Sequence, residues 1–115
     1  MNRLQHFLRA KTQYGLHSPF VYRLYTECLF SRVRGCGRDY GGVVWRLEHY
    51  YGACFREGLL HTCDGVFRVV DRPHRDEAAW AAVVGDPQWQ VTLDLYSVGI
   101  AVGSKRMSKQ HFLLR

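Results

Sequence analysis

Apolar residues recur at helical spacing through the first half of the chain, then give way to short β-branched runs. Leu4, Phe7 and Leu8 stand at i, i+3 and i+4 and predict a short amphipathic helix, ended by Gly15. A second helix has a clear start. Ser18 can cap it, and Pro19 fits the first helical position, where a missing N–H costs nothing. Phe20, Val21, Leu24, Tyr25, Cys28 and Leu29 then make one apolar stripe, with Arg23 and Glu27 outside it. Ser31 to Gly37 is a basic, glycine-containing connection. Asp39 can cap a third helix in which Val44, Leu47, Tyr51, Cys54 and Phe55 recur, while Arg46, Glu48 and His49 turn toward water. Gly41 and Gly42 weaken its first turn by ~1 kcal/mol each relative to Ala.

Beyond Gly58 the period changes. The run from Gly65 to Asp71 is almost continuously apolar and suits a strand buried on both faces, as in a parallel sheet, with Arg68 the discordant residue. Pro73 breaks the chain, and His74 or Asp76 precedes a short helix through Trp80, Val83 and Val84. Gly85, Asp86 and Pro87 stop that helix. From Val91 to Ser104, Thr92 and Asp94 alternate with Leu93 and Leu95, and Gly99 either divides the segment into two strands or bulges it. A lysine-rich loop then leads to a final strand at Gln110 to Arg115. The reading is a single α/β domain over 1–115. A helical part, 1–57, precedes a strand–helix–strand–strand part, 58–115, in which a small mixed sheet ends in an antiparallel strand pair.

Composition agrees with a folded domain: 115 residues, 47% hydrophobic and 23% charged, exclude wholesale disorder and leave room for one core. No apolar run reaches the length of a membrane span. The N-terminal segment has a basic start but neither a continuous apolar stretch nor a small-residue cleavage site, so a cytoplasmic protein is expected. Cys28, Cys36, Cys54 and Cys63 form no CxxC pair, which speaks against a zinc knuckle or a thioredoxin-like site. Reduced thiols are expected, with Cys28 and Cys54 as small hydrophobes on helices.

The net charge of +6 raises nucleic-acid binding. The candidate groups, Arg32 with Arg34 and Lys105, Arg106 with Lys109, are short, and a solvated basic surface is the favoured reading of them. His6, His17, His49, His61, His74 and His111 are scattered without an HxxxH pair, so no metal ligand is assigned. Cys36, between two glycines, has no base that spacing would place beside it. Gly35 and Gly37, with Gly41 and Gly42 beyond, follow no buried strand and so do not make a nucleotide loop. Asp71 is more informative. An acid at the carboxyl end of a buried strand sits where open α/β sheets contact ligands, although turn formation or helix capping accounts for it as well.

Two blocks carry a family resemblance. Ala10 to Phe30 (AKTQYGLHSPFVYRLYTECLF) resembles the N-terminal signature of class I S-adenosylmethionine-dependent methyltransferase-like proteins common in Bacteroidota. Val91 to Arg115 resembles the C-terminal end of that family. Between them, Gly65 to Val83 resembles the fifth strand and following helix, matching at Asp71, His74, Ala79 and Trp80. Arg72 stands where a second aspartate is expected, and the turn is a few residues shorter.

The resemblance implies a reduced Rossmann-like fold. The helix at Asp39 to Phe55 resembles the segment before the family's first strand, yet the chain then passes directly to the fifth-strand block. The strands that hold the cofactor have no counterpart, so no residue is assigned to S-adenosylmethionine and no cofactor is expected on this chain alone. The implied function is a truncated methyltransferase-like protein without independent catalysis, with Asp71 and His74 as the remaining substrate-side candidates. In the full fold the fifth strand lies between the fourth and an antiparallel seventh. Without the fourth, Val66 to Val70 presents an apolar edge and self-association is expected, unless the N-terminal helices fold over it. A small basic module that contacts RNA or a protein is the alternative; a third reading has a second chain supply the missing half-sheet.

Overall fold

The structure, a computed structural model, describes residues 2–10, 18–30 and 37–114, the side chains of residues 7 and 8 excepted. Helix α1 (Arg3–Arg9) opens on a capping box: Gln5 N–H donates to Asn2 Oδ1 and Asn2 N–H to Gln5 Oε1. Of the expected apolar stripe only Leu4 has a described side chain; those of Phe7 and Leu8 lie outside the description. Leu4 is 66% exposed, and His6 and Ala10 face inward instead. Gly15, read as the helix stop, lies outside the described residues.

Helix α2 (Pro19–Arg23) is capped by Ser18 as expected and continues as a π-helical stretch, Leu24–Leu29. Its stripe of Val21, Leu24, Tyr25, Cys28 and Leu29 is buried. The carbonyls of Cys28 and Leu29 at its end accept from two guanidinium groups, Arg46 Nη1 at 3.3 Å and Arg38 Nε at 3.2 Å. This corrects the outward placement of Arg46, which is 5% exposed and also donates to Gly37 O. A buried carbonyl left unpaired costs about 1–3 kcal/mol, so the guanidinium follows the carbonyls inward.

Asp39 caps helix α3 (Tyr40–Tyr51). The helix ends short of Phe55, because Gly52 takes a left-handed C-cap at φ 66°. Cys54 therefore lies beyond the helix and is exposed, against the expectation of a packed hydrophobe. Cys28 is buried, and among the described residues Cys28, Cys54 and Cys63 form no disulfide; Cys36 lies outside the described residues.

The sheet has five strands: β1 (Leu60–Thr62), β2 (Gly65–Asp71), β3 (Val91–Asp94), β4 (Val98–Gly103) and β5 (Gln110–Leu113), in the order β1-β2-β4-β3-β5. β1 was not anticipated. It forms a hairpin with β2, pairing Leu60 with Phe67 and Thr62 with Gly65. β2 is antiparallel to both neighbours, not a strand of a parallel sheet, and only Phe67 and Val69 of it are buried. β4 lies antiparallel between β2 and β3, which are thereby parallel to each other. The break between β3 and β4 falls at residues 95–97, and Gly99 lies inside β4. β5 joins β3 in parallel, so the sheet ends in a parallel pair beyond the antiparallel one.

Register assigns the two faces. Phe67, Val69, Val91, Leu93, Ile100 and Val102 are cross-strand neighbours on one face and share one hydrophobic cluster with Val21, Leu24, Leu29, Val43 and Leu47 of the helices. The opposite face carries Thr92, Asp94, Gly99, Ala101 and His111. Helix α4 (Glu77–Gly85), capped by Asp76 after a 3₁₀ turn at Pro73–Arg75, lies over this face. Its Trp80 ring sits where a side chain at Gly99 would begin: a Cβ there would be 2.7 Å from the indole. Among the described residues no helix is long and apolar enough to cross a membrane.

Candidate polar site at the carboxyl ends of β2 and β3

Asp94 is the last residue of β3 and is 2% exposed. A carboxylate so far from water needs donors, and it has them. Tyr96 N–H donates to Oδ1 at 2.9 Å, and His74 Nε2 lies 3.0 Å from Oδ2 and 3.2 Å from Oδ1. His74 comes from the 3₁₀ turn after β2, so two parallel strands deliver the pair from their carboxyl ends. Open α/β sheets place ligands in this position.

Two left-handed residues shape the turns. Arg72 follows β2 at φ 44° and is held by its N–H to Ser97 O at 3.0 Å. Tyr96 follows β3 at φ 69° and is fixed by the Asp94 side chain. That backbone lays the Tyr96 ring on the His74 imidazole, centroids 4.7 Å apart, and edge-on to His6 at 5.4 Å. Arg3 covers the outer face of the Tyr96 ring, with Cζ 4.9 Å from its centroid.

His6 reaches the same carboxylate from α1 and is 4% exposed. Its Nε2 is 2.7 Å from Leu114 O. A carbonyl only accepts, so Nε2 carries the hydrogen and Nδ1 is left with a bare lone pair in the neutral ring. Nδ1 is 3.7 Å from Asp94 Oδ1 and has no hydrogen-bond partner.

A cleft of about 560 Å³ opens beside the pair, between α4 and the β3–β5 edge. His74, Asp94, His111 and Glu77 give it polar walls, and Trp80, Ala81, Val84 and Leu113 apolar ones. His111 is paired across the strands with Thr92, whose Oγ1 lies 2.7 Å from Nδ1. Desolvation pulls the His111 pKa below its ordinary 6.5, with Lys109 adding to the effect and Asp94 and the Thr92 contact opposing it. His111 is therefore uncharged at neutral pH and offers the cleft a neutral imidazole.

Of the two substrate-side candidates, the structure brings His74 into this site and leaves Asp71 out. Asp71 is exposed and pairs with its neighbour Arg72 at 3.2 Å. Sequence reasoning did not single out His6, Asp94, Tyr96 or His111 for the site. Asp94 left one signal, an acid in the alternating run from Thr92 to Leu95; His6 left none. Of the basic groups, Lys105 and Arg106 are exposed, but the Lys109 ammonium is bound to Asp86 O at 2.6 Å and Trp89 O at 2.7 Å. Arg32, Arg34 and Cys36 lie outside the described residues. Comparison with protein-family models, with characterised proteins and with solved structures finds no match to this chain.

Proposed function

We propose that this chain is a reduced, class I methyltransferase-like domain that does not hold S-adenosylmethionine by itself and whose remaining chemistry is a small-ligand cleft at His74 and Asp94. The observation that carries this reading is strand order. β2, the block resembling the family's fifth strand, has an antiparallel β4 as its neighbour, the position the resemblance gives to the seventh. The cleft lies at the strand ends where such folds meet small molecules.

The described residues do not fit the family's cofactor. A nucleotide-type cradle needs a strand running through a glycine turn into a helix, so that free amides face the ligand. Here β2 leaves through Arg72 and Pro73, and β3 leaves through Tyr96 into β4. Among the described residues the glycines at positive φ, Gly52, Gly58 and Gly65, lie at a helix end, in a bridge turn and at a strand start. Isothermal titration of the purified chain with S-adenosylmethionine tests the reading. No heat of binding is expected; stoichiometric binding to the chain alone overturns it.

A further inference from the structure

We propose that His6, His74 and Asp94 are the protein ligands of a site for one divalent transition-metal ion of the zinc class, with a fourth coordination position left open at the cleft. The inference extends the cleft reading above but does not depend on the methyltransferase resemblance. Among the described residues these three form the one such group of metal-ligating side chains, each with a ligand atom within 4.8 Å of the others. Zinc takes imidazole nitrogen and carboxylate oxygen at about 2.0–2.2 Å in tetrahedral geometry, which places ligand atoms about 3.3 Å apart. Measured to the same carboxylate oxygen, Asp94 Oδ1, the His6 Nδ1 and His74 Nε2 separations are 3.7 and 3.2 Å and bracket that value.

The independent sign is His6 Nδ1. The Leu114 carbonyl fixes the hydrogen on Nε2, so the buried Nδ1 lone pair looks at a carboxylate oxygen. Two acceptors facing each other away from water repel unless something positive lies between them. A proton on Nδ1 would draw the pair to hydrogen-bond distance, and 3.7 Å is too long for that bond. A metal ion between nitrogen and oxygen resolves the conflict at the observed spacing.

The surroundings are those of ligands held in place. Metal-binding imidazoles give their other N–H to a carbonyl or carboxylate, which fixes tautomer and ring direction. His6 gives its N–H to Leu114 O, and the other nitrogen of His74 faces Glu77 Oε1 at 4.0 Å. On metal binding the His74 hydrogen leaves Nε2, and Nδ1 takes one up on the side of Glu77. Tyr96 N–H steadies the Asp94 carboxylate. Three protein ligands and one open position are the arrangement of zinc sites that bind or activate a small ligand. Two imidazoles and a carboxylate also admit iron(II) or cobalt(II), with order of affinity following the general series for these ions.

The test is zinc titration of the chelator-treated full chain, with cobalt(II) absorption as a spectroscopic readout. One zinc per chain is expected, with the intense visible bands of a four-coordinate cobalt site. Asp94→Asn and His74→Gln should each weaken zinc at least about 100-fold, the upper end of what loss of a mere supporting contact costs. His74 is on the half-buried rim, so His74→Gln gives the result should Asp94→Asn not fold. Cys54→Ser with Cys63→Ser, and His49→Gln, should leave affinity unchanged. Absence of stoichiometric zinc in the wild-type chain overturns the proposal, as does undiminished affinity in His74→Gln. Neither outcome bears on S-adenosylmethionine, whose titration tests the preceding reading separately.

Discussion

At Gly99 the Trp80 indole lies where a side chain would start, and this contact seats α4 on the sheet. Gly99→Ala puts a methyl 2.7 Å from the ring and should cost about 1–3 kcal/mol by overpacking, read as a lower denaturation midpoint. Cys28 gives a second test. Burial pushes its thiol up from 9.0 to about 12, against a weaker opposing pull from Arg46. A folded-state pKa above the unfolded one means a stabilising contribution that is complete below the unfolded value. It is lost as pH rises through the window up to about 12, at about 1.4 kcal/mol per pH unit. Denaturant unfolding across that window should show a shallower decline for Cys28→Ala than for the wild type, and identical slopes would contradict the assignment. The caps at Ser18, Asp39 and Asp76 were legible in the sequence because capping is local, a side-chain oxygen meeting an N–H three residues on. Arg46 was not legible, since its burial answers the Cys28 carbonyl 18 residues away, at the end of the π-helical stretch, and the Gly37 carbonyl.

Among the elements, α2, α3, α4 and β2 to β5 follow from period and punctuation. β1 does not, because three residues are too few to show alternation, and its pairing depends on the Gly65 backbone at φ 137°. Parallel docking of β5 on β3 was also hidden, since a strand's direction is set by how the preceding loop crosses the sheet. The hairpin bears on the expected open edge. β1 covers Gly65, Val66 and Phe67 of β2, and among the described residues no strand pairs with residues 68–71 on that side. Self-association through this remaining edge is still the expectation, with exposed Arg68 as a charge that limits it. Sedimentation should show a concentration-dependent dimer, weakened by Val70→Lys; a monomer at all concentrations would contradict it.

At the scale of the whole molecule, the sheet gathers residues that are remote in sequence. His6 comes from the first helix, His74 from the turn after β2, and Asp94 from the end of β3. Their spacings of 68 and 20 positions match no local motif, so a search for HxxxH or CxxC passes over them. Fold class was readable from periodicity, whereas the site exists only once β4 has been inserted between β2 and β3 and α1 has closed over the strand ends. The same geometry moves the chemistry away from a glycine cradle to a buried carboxylate between two imidazoles. Long-range nitrogen–proton NMR of the histidine rings, recorded on metal-free chain and again with one equivalent of zinc, tests this centre most directly. The result expected is zinc-dependent shifts at His6 Nδ1 and His74 Nε2, with His49 and His61 unmoved. Histidine rings indifferent to zinc would contradict it.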